Sequence, residues 1–349
     1  MTGRLSETTA FRARDNRARA FALSAKCLAG SGGRYADAAA TFARAYPGSA
    51  YTDTMTKAAA SAGSTDGWGA PLAEAGLARD FLAVMAARTV LGRLPMAREV
   101  PFDVRLPRLG ATPRGSWTGQ GQPLRAINPG ADQITLPRRR VGALLVVSDE
   151  LAKAGGDLAA RLFERALSDA VAAALDGTLL DAGLAKVPGA SPASITFGAP
   201  SFPAASLDAG AVTAAVDAAL DALTSDLNGL AFIASPRAAL VLARLRFPSG
   251  ERAFPEAGAT GGSILGAPLL VSPAAPVGQL TALDAERLLY ARGDAEVDVA
   301  EHATIELGEA PGEALVSLWQ ANAQGLRATV TANWRIEPGA VAIVTGLGE

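Results

Sequence analysis

The side chains that most often carry catalysis are scarce in this sequence. Among 349 residues there is one histidine, His302, and one cysteine, Cys27. A metal centre needs several such ligands, and a catalytic histidine needs a nucleophile and an orienting acid. His302 follows Glu301 at the end of a predicted strand, and no Gly-x-Ser-x-Gly motif occurs. We therefore interpret His302 as a surface histidine and predict no metal site and no disulfide within the chain.

Two glycine-rich segments have the composition of phosphate-binding loops. Gly119-Gln120-Gly121 lacks the third glycine and the following helix of a dinucleotide-binding turn, and 258–262 lacks the Lys-Ser/Thr pair of a phosphate loop. Both are interpreted as turns. The sequence thus predicts no cofactor and no enzymatic activity. A small-molecule enzyme that uses an α/β region at 210–300 stays open as the alternative of a different class.

Three consecutive arginines, Arg138, Arg139 and Arg140, form the densest charge cluster. No aromatic residues surround them, so stacking on nucleic-acid bases is not indicated. Guanidinium groups suit bidentate pairing with carboxylates, which favours an ion-pairing role across a subunit interface. The alternative is three exposed arginines on an edge strand, where positive charge discourages aggregation.

The first 60 residues are basic although the whole chain carries a net charge of −2. They hold nine Lys/Arg and four Asp/Glu, a net charge of +5. This predicts an arm that contacts something negatively charged, such as nucleic acid or the acidic face of another subunit, and the candidates are Arg12, Arg14, Arg17 and Arg19. A solvated pair of amphipathic helices is the other interpretation. No signal peptide or run of about 18 apolar residues is present, so no membrane partner is expected.

The elements that must position these charges follow from periodicity. Short helices are predicted at 6–29 and 34–46, a linker at 58–67 and a helix at 70–92. From Val100 to Leu106 apolar residues alternate with polar ones, which predicts a strand.

Residues 107–138 are rich in proline and glycine and poor in large apolar side chains. Ser116–Leu124 and Gln133–Leu136 nevertheless have strand character. Because an isolated hairpin is marginal in water, we expect a long two-stranded loop that gains stability by lying on a neighbouring subunit.

The sequence pattern of the second half of the chain predicts a long helix and an α/β block. The apolar run 141–148 indicates a buried strand, and an apolar stripe predicts a helix over 157–182. Helices at 209–224 and 236–246 then alternate with strands, and a final strand is predicted at 340–345. The predicted strands of the block are 230–233, 268–271, 280–283, 288–291 and 297–300.

The segments and their local motifs resemble, in this order, the major capsid proteins of tailed bacteriophages with the Hong Kong 97-type fold. Ser116-Trp117-Thr118-Gly119-Gln120-Gly121 resembles the family's Trp-x-x-Glu-Gly loop, with Gln120 in place of the acid. Ser148-Asp149-Glu150-Leu151 resembles the lead into the long spine helix. Further likeness lies at Gly67–Leu72, Leu175–Leu180, Ser317–Asn322, Arg327, Asn333-Trp334 and Ala340–Ala342.

The resemblance implies an α+β fold divided into an arm, a loop and two domains. It divides the chain into a basic helical arm with linker at 1–66, the start of the peripheral domain at 67–106, an extension loop at 107–140, the peripheral domain with its spine helix at 141–189, an axial domain at 190–303 and C-terminal peripheral strands at 304–349.

The function implied is that of a shell subunit. The chain would form hexamers and pentamers around double-stranded DNA, with portal and possibly scaffold or decoration proteins as further partners. It would be assembled in a bacterial cytoplasm and reside in the virion capsid. Candidate inter-subunit contacts are Trp117, Gln120, Arg125, Arg138, Arg139 and Arg140. The alternative within this fold is an encapsulin, a protein compartment that holds cargo.

The chain departs from some relatives in two respects. Some crosslink an extension-loop lysine to an asparagine of the next subunit, but here no lysine lies between Lys57 and Lys153. Some also carry a cleaved N-terminal scaffolding domain of about a hundred residues, whereas about 66 precede the body here. We therefore expect no lysine crosslinks and an arm that is retained or only partly removed.

Overall fold

A computed structural model describes residues 35–45, 85–109, 131–154, 156–306 and 315–348, together with Cys27 and Leu82. Two main sheets and one long helix organise this part of the chain. The described helices are α1 (Tyr35–Ala45), α2 (Val90–Arg93), α3 (Asp149–Ala154), α4 (Gly156–Leu180), α5 (Ala209–Asp221) and α6 (Pro236–Arg244).

The described strands form the two main sheets and two separate two-stranded ribbons. They are β1 (Arg98–Glu99), β2 (Leu106–Leu109), β3 (Ala131–Ile134), β4 (Arg140–Ser148), β5 (Ser201–Pro203), β6 (Leu230–Ala234), β7 (Ala257–Gly258), β8 (Gly261–Ile264), β9 (Ala267–Val271), β10 (Leu280–Asp284), β11 (Leu288–Ala300), β12 (Thr304–Glu306), β13 (Leu315–Ser317), β14 (Ala323–Ile336) and β15 (Val341–Thr345). The two ribbons are β2-β3 and β12-β13. A 3-10 turn, Ala285–Arg287, joins β10 to β11.

The long helix α4 covers one face of a four-stranded sheet of order β1-β11-β14-β4. Its 25 residues span about 37 Å. The predicted apolar stripe is buried at Phe163, Val171, Leu175 and Leu179, which pack with Leu326, Ala328, Val330 and Trp334 of β14. The helix prediction at 157–182 is therefore confirmed to within two residues at each end.

Strand β4 is less buried than its sequence suggested. The apolar run was predicted to be buried on both faces, yet of its side chains only Val147 is fully buried and Leu144 is 50% exposed. The reason is topological. Strand β4 is an edge strand whose inner face meets α4, while the described residues place no second layer over its outer face.

The second sheet has seven strands in the order β5-β15-β10-β6-β9-β8-β7. Helices α5 and α6 pack on it through Val212, Val216, Ala239 and Leu242, which share a core with Phe232. Each helix begins at an N-cap, with Asp208 and Ser235 accepting hydrogen bonds from the N–H groups of Ala211 and Ala238. This is the α/β block expected from the sequence.

Two strands lie in a different sheet from the one implied by the predicted division into peripheral and axial domains. Strand β11 is one continuous strand of the four-stranded sheet, although its residues were predicted as two strands of the axial block. Strand β15 lies between β5 and β10 of the seven-stranded sheet, although it was assigned to the peripheral domain. Chain order alone does not determine either pairing.

The base of the extension loop is a two-stranded ribbon. Strand β2 pairs antiparallel with β3, with Leu109 opposite Ala131. The strand predicted from Val100 to Leu106 is wrong for most of its length, because a turn at Phe102-Asp103 interrupts it. Asp103 has a positive φ of 59°, a backbone conformation that no regular strand contains.

Candidate inter-subunit surface

Arg138 lies at the base of the loop and pairs within its own chain. Its Nε lies 3.3 Å from Oδ2 of Asp103, and its guanidinium lies 5.5 Å from the centre of the Phe102 ring. Both charged side chains are well exposed, so this pair contributes at most about 1 kcal/mol to stability. Its main effect is to orient the turn that leads into the loop.

Arg140 belongs to a row of charges on the open face of the four-stranded sheet. Its guanidinium lies 3.9 Å from Glu296 of β11, and Arg327 of β14 donates a 2.7 Å hydrogen bond to Asp298. This hydrogen bond and the charge of Asp298 raise the pKa of Arg327 above its ordinary value. The exposed side chain of Leu144 stands opposite Arg327 in the register. The open face therefore offers paired charges around an apolar residue.

Arg139 lies in a different environment from its two neighbours. Its carbonyl oxygen accepts a hydrogen bond from the backbone N–H of Ala332. Arg139 also lines a groove with a volume of about 560 Å³. The other walls of the groove are the connection 192–200 and the end of β14 with the following turn, 333–339. The three arginines therefore lie in three different places. Arg138 lies at the turn of the loop base, Arg139 lines the groove, and Arg140 lies on the open face of the sheet.

A buried carboxylate joins the two main sheets. Asp176, on the face of α4 turned towards the core, is 2% exposed. Its Oδ1 accepts a 2.8 Å hydrogen bond from the Val90 N–H, and its Oδ2 accepts one of 2.7 Å from the Ser272 hydroxyl, just after β9. The guanidinium of Arg93 donates to the Val271 carbonyl beside it. Burial raises the pKa of Asp176, and these partners offset only part of that effect.

Several predicted contact residues lie outside the described residues. These are Trp117, Gln120 and Arg125 of the loop and Arg12, Arg14, Arg17 and Arg19 of the arm. His302 is exposed, as expected. Within the described ranges no group of three or more His, Cys, Asp or Glu residues could hold a metal ion. No helix among them is long and apolar enough to cross a membrane.

Sequence reasoning missed Asp176 and the groove. An acid one residue after Leu175 and three before Leu179 interrupts the apolar stripe of α4, and that irregularity was an available signal. The groove had no such signal, because its residues come from three segments far apart in the chain.

A four-stranded sheet under a long helix, a seven-stranded sheet with its own helices and a two-stranded loop base together define the α+β Hong Kong 97-type capsid fold. Solved structures from phages are similar to it. A chain from Gordonia phage Cozz matches with a TM-score of 0.52 and 19% identity, covering 74% of this chain and 86% of that one. A chain from Mycobacterium phage Ogopogo matches with a TM-score of 0.52 and 21% identity, covering 74% and 92%.

The sequence is also similar to a curated protein, the capsid polyprotein of Pseudomonas phage PAJU2. The two are 31% identical over 359 residues, which cover 94% of this chain and 54% of the relative. The chain thus spans about half the length of that relative. No protein-family model matches the chain. The predicted fold and the resemblance to phage capsid proteins are confirmed.

Proposed function

We propose that this chain is a major capsid subunit that assembles into the icosahedral shell enclosing phage DNA. The observation that carries the proposal is the β2–β3 ribbon. By pairing Leu109 with Ala131 it closes residues 110–130 into one excursion from the base of the loop. That segment holds few large apolar residues, so it has little material for a core of its own. A neighbouring copy supplies the missing surface.

The same proposal covers partners and location. Copies join in hexamers and pentamers through one repeated heterologous contact, in which each subunit reaches the next and receives the one before. The basic arm, with Arg12, Arg14, Arg17 and Arg19, faces the packaged DNA or an acidic neighbour. Portal, scaffold or decoration proteins complete the particle, which is assembled in the bacterial cytoplasm and resides in the virion. The role is structural and not enzymatic.

Electron microscopy of the overexpressed chain tests the assembly. We expect closed shells of uniform diameter in the high-molecular-weight fraction. A discrete monomer or small oligomer at high concentration would contradict the proposal. Particles from the native source distinguish a phage head, which contains DNA, from an encapsulin, which contains a protein cargo. The similarity to a phage capsid polyprotein supports the former.

Trp117→Ala is expected to impair assembly while the subunit stays folded. Trp117 lies near the middle of the loop segment, where its indole would bury apolar area against the next copy. Light scattering at equal protein concentration should show at least a tenfold lower shell yield. The urea midpoint of the unassembled variant should match that of wild type. Equal shell yields would show that Trp117 makes no important contact.

Boiled and reduced shells are expected to run as a single subunit band on a denaturing gel. Crosslinking of the kind seen in some relatives needs a lysine on the extension loop, and residues 107–140 contain none. A ladder of covalent multimers that survives boiling would contradict this prediction.

A further inference from the structure

The groove beside Arg139 exists because two adjacent segments separate. Strand β14 pairs with β4 up to Thr331 and Arg140, and the N–H of Ala332 then donates to the Arg139 carbonyl. Beyond this point Pro137 has no N–H to offer the ladder. The Asn333 side chain fills the gap, donating to the Pro137 carbonyl and accepting from the Trp334 N–H. The chain ahead of β4 therefore leaves the edge of β14, and the groove opens between them.

The groove has an apolar floor and a basic rim. Ile195 and Trp334 form the buried floor, and the Trp334 indole already donates to the Ala193 carbonyl. Arg139, Lys186 and Arg335 supply positive charge around the opening. Among the described residues, none of these three cations has a carboxylate partner. The one acid of the lining, Glu337, is engaged by Arg287 at 3.4 Å. The site therefore suits an acidic peptide with small apolar residues.

One segment of the chain has this composition. Residues 307–314 read Leu-Gly-Glu-Ala-Pro-Gly-Glu-Ala, with Glu309 and Glu313 and no basic residue. Glu306 adds a third acid at its start. The rest of the segment is leucine, alanine, glycine and proline, none of which carries a charge.

The hairpin that carries the segment is anchored at a distance from the groove of its own subunit. Strands β12 and β13 bring its ends together, since Glu306 pairs with Leu315, and Leu318 anchors the hairpin beside Gly325. Gly325 lies ten residues from Arg335 along β14, about 33 Å at the usual rise per residue.

We propose that the groove binds residues 307–314 of a second copy of this chain, with Glu309 and Glu313 paired to the cations of the rim. The inference rests on the proposed shell function and adds a second inter-subunit contact to it. Because the groove is lined both by the base of the extension loop and by the connection 192–200, an occupant fixes one against the other. A neighbour seated there holds the angle of the loop.

Peptide binding tests the groove without requiring shells. A fluorescent peptide covering Ile305–Val316 is added to the full-length unassembled chain, and anisotropy is measured. We expect saturable binding that weakens with salt. It should weaken roughly tenfold when glutamines replace Glu309 and Glu313 in the peptide, or when the protein carries Lys186→Glu with Arg335→Glu. The matched control is Arg252→Glu, an exposed arginine outside the groove.

Assembly tests the same contact in the particle. The groove variant and a loop variant, Glu309→Lys with Glu313→Lys, should each lower shell yield about tenfold, and combining them should restore it. Urea midpoints exclude misfolding as the cause. No peptide binding, equal binding of the glutamine peptide, or absence of rescue in a chain that forms shells would each overturn the inference. Peptide binding by a chain that forms no shells would instead reject the proposed function and leave the groove assignment standing.

Discussion

Replacing Asp176 by leucine is expected to lower the free energy of unfolding by about 3–5 kcal/mol. The carboxylate satisfies two donors that lie in different parts of the fold, the first N–H of α2 at Val90 and the hydroxyl of Ser272. Leucine leaves the buried N–H without an acceptor and removes the neighbour of Arg93. Urea unfolding of the unassembled chain, followed by circular dichroism, measures the loss.

Asp176→Asn is the matched control. Its amide oxygen can accept from Val90 while its nitrogen donates to the Ser272 hydroxyl, so both hydrogen bonds persist and the loss should stay within about 1 kcal/mol. A loss equal to that of the leucine variant would show that the negative charge, and not the hydrogen bonding, holds this joint.

The pH dependence follows from the raised pKa of Asp176. The folded state binds a proton at this carboxyl more readily than the unfolded state, where the ordinary value is 3.8. Wild type therefore gains stability relative to Asp176→Asn as pH falls from neutral through the folded-state pKa, and the gain is complete below 3.8. Urea midpoints of the two proteins across this range measure it. A constant difference between them would contradict the shift.

Replacing residues 110–130 by a short Asn-Gly turn between β2 and β3 is expected to abolish shells and leave the subunit folded. The turn closes the ribbon where Leu109 pairs with Ala131, and the described strands of both main sheets come from other parts of the chain. The variant keeps the surfaces that receive a neighbour but loses the segment that reaches one. Size-exclusion chromatography and electron microscopy should show unassembled protein with a wild-type urea midpoint.

Mixing this variant with wild type sharpens the test. In a ring of heterologous contacts each subunit both reaches and receives, so one subunit without the loop leaves one joint unmade. Shell yield should therefore fall more steeply than the fraction of wild-type chains in the mixture. A yield proportional to that fraction would mean that the loop makes no contact between copies.

Local periodicity predicted the parts of the fold that depend on local sequence. The apolar stripe predicted α4, and helices were also predicted where α5 and α6 lie, because helical hydrogen bonds join residues four apart. The two-stranded loop predicted over 107–138 from composition agrees with the β2–β3 pairing at its base, and the rest of that prediction lies outside the described residues. The motifs in the correct order then identified the fold, which no single motif could have done.

The predictions that were wrong concern contacts between residues that are far apart in the chain. The apolar run of β4 has the composition of a central strand, but its position at a sheet edge is set by pairing with β14, nearly two hundred residues later. Sequence gives no register between strands so far apart, so the sheets of β11 and β15 were also misassigned. The groove was missed for the same reason. By contrast, the turn at Asp103 overrode a local alternation that was present in the sequence.

The order of strands also bears on how the subunit is made. Strand β14 lies between β11 and β4, and β15 lies between β5 and β10, so residues 323–345 supply an interior strand of each sheet. A chain still attached to the ribosome, with this stretch inside the exit tunnel, has neither sheet closed. Until this stretch emerges, β4 and β10 each lack a strand that pairs with them. Both sheets therefore close only after β14 and β15 have been synthesised.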